Sequence, residues 1–250
     1  MAGAVTNLAF GFFRIFLLTA FYRASTSVEP MELGDVYSYI WFGQVLFSVL
    51  PVMGTTIMAD SEEIRSGDVA YRLTRPVSLW GYTYARSLGE KITMLCTRSL
   101  IQVVAIFGLF PLLGLQRYGM ALPDAASLPF LLPSLILTIL LSAAIQTLII
   151  QTAFWTVSLR GSATLWYAVT SFFSGLLVPL TFFPPALRAV ADVLPFRAVY
   201  DTTAMLYAGS FTRAQALLGL GHQAFWLLAL AGGGAVLARL GTARLEVAGG

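Results

Sequence analysis

Few side chains in this sequence could do chemistry, and the densest group is one short run, Asp60-Ser61-Glu62-Glu63-Ile64-Arg65-Ser66-Gly67-Asp68. Elsewhere the reactive inventory is thin: one histidine (His222), one cysteine (Cys96) and one lysine (Lys91). A single histidine excludes an HExxH metal site, and a single cysteine excludes both an internal disulfide and a Cys-based zinc cluster. Cys96 reads as a small buried apolar residue, and His222 as an interfacial side chain at the mouth of the last apolar stretch. The lysine lies between Glu90 and Ile92. It is not in the Gly-Lys-Ser/Thr setting that brings a P-loop lysine to terminal phosphates. The chain is therefore expected to be no enzyme in itself, with no cofactor and no metal.

The run from Asp60 carries local helix signals. Asp60 is a good N-cap, Glu63 three residues later makes a capping-box-like pair, and acidic groups suit the first turn. Gly67 fits a left-handed stop. These signals predict a helix of under two turns, too short to be stable alone and in need of a surface to dock on. Tyr71-Arg72-Leu73-Thr74-Arg75-Pro76 follows, then the amphipathic run Leu79–Arg86, whose aromatic and basic residues suit a membrane–water interface. Two readings stay open at this level: a docking element for a partner, or a capped turn and interfacial anchor without one.

The elements that must position this segment are apolar. Hydrophobic residues make up 58% of the chain and charged ones 11%, and the mean hydropathy is +0.79. A soluble domain carries roughly a quarter charged residues, so lipid is the expected solvent. Six stretches have the length of a span: Gly3 to Tyr22, Val36 to Ala59, Ile92 to Leu115, Phe130 to Ser158, Thr164 to Phe183 and Leu217 to Leu240. They are long and continuous, which favours helices over a barrel. The first lacks a basic start and a cleavage site and is expected to be retained. The expected fold is all-α, one polytopic membrane domain over residues 1–250. A cytoplasmic segment covers 60–91 and an external segment 184–213.

Orientation follows from Arg and Lys in the short loops. Arg65, Arg72, Arg75, Arg86 and Lys91 put the 60–91 segment in the cytoplasm, and Arg160, Arg239 and Arg244 fall on the same side. Both termini are then cytoplasmic. The external segment is too apolar for a free loop and too broken by proline to span. It reads as two short helices at the outer leaflet, starting near Pro185 and Pro195. Polar residues recur along one face of the second span (Tyr37, Trp41, Gln44, Ser48, Thr55) and of the fifth (Tyr167, Ser171, Ser174). Such stripes either glue helices together or line a path. Arg14 and Arg98 lie within expected spans, Arg98 near enough to the edge to snorkel.

The string Ile64 to Pro76, followed by Tyr84-Ala85-Arg86-Ser87-Leu88-Gly89, resembles the segment after the second helix in type-2 ABC exporter permeases. It is most similar to the six-span permeases that work in pairs, a group that includes viologen-exporter-like proteins. The Pro-Pro…Leu-Pro-Phe segment resembles that family's external re-entrant helices. The resemblance implies a permease subunit in a bacterial inner membrane, moving a hydrophobic or amphipathic substrate outward. It implies two copies of a separate ABC ATPase, which would bind ATP and Mg, a second permease, related or identical, surrounding membrane lipid and no nucleic acid. It also makes the short cytoplasmic helix a coupling helix, with Glu62, Glu63, Ile64, Arg65, Gly67 and Asp68 at the ATPase. The polar stripe residues Tyr37, Gln44, Ser48, Tyr167, Ser171 and Ser174 would then line a substrate path.

Three other functions compete. An ion-coupled secondary carrier usually needs carboxylates at membrane depth, and none of the Asp or Glu residues falls deep within the spans as bounded above. An intramembrane serine protease would have His222 as its only base. A non-transporting scaffold is compatible with the same sequence.

Overall fold

The computed structural model describes residues 2–24, 31–51, 55–73, 77–156 and 159–243. Thr74, Arg75, Pro76, Ser158 and Arg244 lie outside the described residues, as do the side chains of Thr55 and Arg160. In chain order the helices are α1 (Ala2–Ala24), α2 (Leu33–Phe47), α3 (Thr55–Ser66), α4 (Ala70–Leu73), α5 (Leu79–Leu112) and α6 (Leu128–Gln151). There follow α7 (Leu159–Phe173), α8 (Pro185–Val193), α9 (Asp201–Tyr207) and α10 (Arg213–Thr242). Among the described residues there is no strand.

Four helices are long and apolar enough to cross a membrane: Val5–Ala24, Leu79–Leu112, Leu128–Phe154 and Arg213–Thr242. They match the first, third, fourth and sixth expected spans. The other two expected spans are shorter as helices, since α2 and α7 have 15 residues each. Turn bonds from Val49 N–H to the Leu46 carbonyl and from Leu50 N–H to the Phe47 carbonyl end α2. Pro51 then brings no N–H to continue the ladder. After α7 the chain turns at Gly175, whose φ of +84° only glycine adopts readily.

α5 starts earlier than expected, at Leu79, because the amphipathic run continues unbroken into the third span. The Ser78 hydroxyl accepts from the Gly81 N–H and caps its start. Within α5, Leu95–Ser99 and Ala105–Leu109 are π turns. Glu90, expected outside the span, therefore lies inside this helix. Cys96, expected to be buried, is exposed on its surface.

The external segment forms short helices as its prolines suggested. α8 starts at Pro185, a residue suited to a helix's first turn. A 3-10 turn over Arg197–Val199 follows Pro195 and leads into α9. α10 opens with a full capping box between Thr212 and Gln215.

α6 is the central strut, with α10, α5, α9 and α3 packed on it; α2 packs on α1 and α9. Small residues allow close approach. A Cβ at Gly234 of α10 would collide with the Trp80 ring, and one at Gly241 with the Phe154 ring. Arg14 of α1, for which the sequence offered no partner, is 4% exposed and donates to the Tyr200 hydroxyl at 3.3 Å.

Candidate functional site

The polar segment is built around α3. This helix begins at Thr55 and runs 12 residues, so Asp60 lies inside it and is not its N-cap. The local signals at Asp60 and Glu63 are spent on tertiary ion pairs. Asp60 is 1% exposed and pairs with Arg72 of α4 (3.3 Å) and with Arg86 of α5. Glu63 pairs with the same Arg72 and lies 3.7 Å from Arg86. The Arg72 guanidinium also stacks over the Tyr82 ring at 4.4 Å. Four charges from three helices thus fix α3 against the membrane domain, while Ile57, Ile64 and Val69 turn their apolar side chains inward.

The predicted stop is present. Gly67 has φ +84°, and Val69 N–H returns to the Glu63 carbonyl at 3.0 Å. The six expected coupling residues then divide. Glu62 and Arg65 form an exposed pair at 2.9 Å, with side chains 68% and 43% accessible. Gly67 and Asp68 are exposed beside them, and the Ser66 hydroxyl donates to Asp68 at 2.7 Å. Glu63 is half-buried in the ion cluster. Ile64 is buried within the chain. Tyr71, 78% exposed, extends the outer face.

Burial pushes the Asp60 carboxyl above its ordinary value, more than Arg86 and Arg72 pull it down. The reason is that Asp60 is dry, whereas its partners keep side-chain exposures of 15% and 36% and their attraction is screened. The sign for stability follows. A carboxyl whose folded-state pKa is raised binds its proton more tightly when folded, so its contribution grows as pH falls through that value. The stability of the parent relative to Asp60→Asn should therefore rise as pH falls from about 7 towards the ordinary carboxylate range, about pH 4. Thermal melting in detergent at both pH values checks it. A gap moving the other way would mean that the arginines dominate.

The expected path residues are mostly turned inward. Tyr37 shares a hydrogen bond with Thr19 of α1 at 2.8 Å, and Ser48 with Ser99 of α5 at 2.8 Å. Trp41 donates to the Tyr118 carbonyl at 2.5 Å. Ser174 accepts from Leu176 N–H at 3.3 Å, and Tyr167 is half-buried. Gln44 Oε1 and Ser171 Oγ are buried without a hydrogen-bond partner among the described residues. α2 packs chiefly on α1 and α9, and α7 on α6.

Sequence reasoning missed the meeting of Arg72 and Arg86 at Asp60 and Glu63, and the bonds of Glu90 to Thr56 and of Lys91 to Leu50. Their signal was compositional, the chain's only lysine beside a glutamate at the border of an apolar run. Spacing could not show what they meet, because their partners lie 9 to 56 residues away, Arg72 to Glu63 being the shortest (72 − 63) and Glu90 to Gln146 the longest.

A family model described as ABC-2 family transporter protein matches residues 8–249. No curated protein and no solved structure matches the chain.

Proposed function

The chain belongs to the ABC-2 transporter family, and from that premise we propose that it is the export permease of a complex driven by ATP hydrolysed on partner subunits. Membership makes it a membrane protein and a permease subunit that works with an ABC ATPase. The finer reading is that α3 and the turn after it seat on that ATPase, two ATPases serving two permeases, related or identical. Both termini are then cytoplasmic in a bacterial inner membrane, with six crossings and with α8 and α9 at the outer leaflet. α2 together with α3, and α7 with the segment after it, supply the two crossings that are not single long helices. A hydrophobic or amphipathic substrate suits the uncharged, aromatic faces formed by Tyr37, Trp41, Gln44 and Ser48 and by Tyr167, Ser171 and Ser174.

One observation carries the docking reading. α3 is anchored on one side by Ile57, Ile64 and the ion cluster, while Glu62, Arg65 and Gly67–Asp68 stand exposed on the other. A helix end buttressed in this way can take a push without unwinding. The test is a pull-down of the tagged chain from its native membrane in mild detergent, with mass spectrometry. An ABC ATPase should come along, and the double substitution Glu62→Arg/Arg65→Glu should reduce its recovery at least tenfold, about 1.4 kcal/mol. Undiminished recovery sinks the docking site, and recovery of no ATPase in the parent sinks the mechanism.

A further inference from the structure

The chain turns at the end of α2 through Leu50 and Pro51, and α3 is described from Thr55. Carbonyls at the end of a helix carry partial negative charge, and N–H groups in its first turn partial positive charge. Two adjacent residues of α5 meet them with the matching signs. Lys91, fully buried, donates from Nζ to the Leu50 carbonyl at 2.8 Å. Glu90 accepts from the Thr56 N–H at 3.4 Å and from the Thr56 hydroxyl at 2.5 Å. Gln146 of α6 closes the group, its Nε2 donating to Glu90 at 2.8 Å and to the Thr56 hydroxyl at 2.6 Å.

Opposite charges exchanged between neighbouring positions would put the wrong sign at both ends, so the order Glu-Lys is itself informative. A helix end inside a low-dielectric interior is costly without such partners. Pro51 interrupts the ladder, and the Glu90–Lys91 pair makes the interruption tolerable. We infer that Glu90 and Lys91 are positioning residues that cap both sides of this break and tie α3 to α5, so that a displacement of α3 is passed into α5. The last step rests on the docking of α3 proposed above; the capping does not.

The first measurement is hydrogen–deuterium exchange of the chain in nanodiscs. Glu90→Gln keeps size and hydrogen-bonding capacity but removes the charge, and should speed exchange over residues 55–59 roughly tenfold, the loss expected when a charge-assisted bond becomes neutral. Lys91→Met should loosen residues 48–50 as well. Exchange over 128–151 should stay unchanged in both, which separates a local joint from general destabilisation. If Lys91→Met does not fold, Glu90→Gln decides alone, and unchanged exchange over 55–59 overturns the capping.

The second measurement is pulsed EPR on the co-purified complex. A Cys96→Ser background carries spin labels at Met58→Cys on α3 and Leu112→Cys on α5, both exposed positions. Addition of Mg-ATP with vanadate should shift the Met58–Leu112 distance in the parent, and Glu90→Gln should lose the shift while retaining the ATPase. A parent without a shift, or a variant that keeps it, overturns the transmission. Recovery of no ATPase would instead count against the docking reading and leave the exchange result to judge the caps.

Discussion

Gly43→Ala is expected to abolish folded protein. Gly43 faces Tyr200 within the packing of α2 on the segment before α9, and an added Cβ would fall inside the Tyr200 phenol. Tyr200 is completely buried, stacks edge-on against Tyr39 with ring centroids 5.7 Å apart, and accepts the hydrogen bond of Arg14. It cannot swing aside without leaving the buried guanidinium of Arg14 with no partner of its own. Overpacking of this kind costs roughly 3 kcal/mol, and stranding a buried charge costs about as much again. Tyr200→Phe should not rescue the variant, because the ring carbon that bears the hydroxyl is also in the way. Gly34→Ala on the same helix is the control. It meets no atom within 4 Å, so it should be neutral or stabilise by about 0.5–1 kcal/mol through helix propensity. Size-exclusion profiles in detergent compare the two directly.

Gly175→Ala should be nearly as damaging, for two separable reasons. Its φ of +84° strains any residue with a Cβ, at about 1–3 kcal/mol. The new methyl would also lie 2.5 Å from the Tyr39 hydroxyl and 3.1 Å from Asp201 Oδ1. Those atoms form the lock of this region. Tyr39 donates towards Asp201 at 2.9 Å and towards the Gly175 carbonyl at 3.0 Å, while Asp201 N–H donates to the Ser174 carbonyl at 3.0 Å. Tyr39→Phe removes the nearest clashing atom but not the strain. Gly175→Ala should therefore cost less in a Tyr39→Phe background, with a coupling of about 0.5–3 kcal/mol. Equal costs in both backgrounds would show that strain alone acts.

How much of this was legible depended on the range of the interaction. The existence of the four long helices, the stop at Gly67 and the start of α8 at Pro185 rest on composition or on neighbours within a turn, and the structure has them, though α5 starts at Leu79 and not at Ile92. The start of α3 was misplaced because capping rules see only local partners. Asp60 and Glu63 look like a capping pair, yet the Thr56 N–H is met by Glu90, 34 positions away. The shortness of α2 had a visible cause in Pro51. Its compensation by Lys91 did not, because nothing in the spacing of Pro51 and Lys91 shows that they approach. Arg14 is the same case at greater distance, since its partner Tyr200 lies 186 positions along the chain. In the candidate site the outward residues Glu62, Arg65 and Asp68 were readable from polarity. The inward turn of Ile64 and the ion cluster behind it were not.

The π turns of α5 set a phase. In an uninterrupted α-helix Ser99 would point roughly 80° around the axis from Lys91. A π turn advances by a smaller angle per residue, and the stretch Leu95–Ser99 returns most of that difference. Ser99 consequently shares the azimuth of Lys91, and its hydroxyl reaches the Val45 carbonyl at 2.6 Å while Lys91 reaches Leu50. One spare residue thus acts as a vernier between the two halves of the helix. Removing a single residue from 95–99 would leave seven steps of about 100° between the two positions, so a plain α-helix would still hold Ser99 within about 20° of Lys91. Straightening the helix with every residue kept would instead turn Ser99 about 80° away, so that the Val45 carbonyl loses its donor and Ile106 and Phe110 turn out of the interior they now fill.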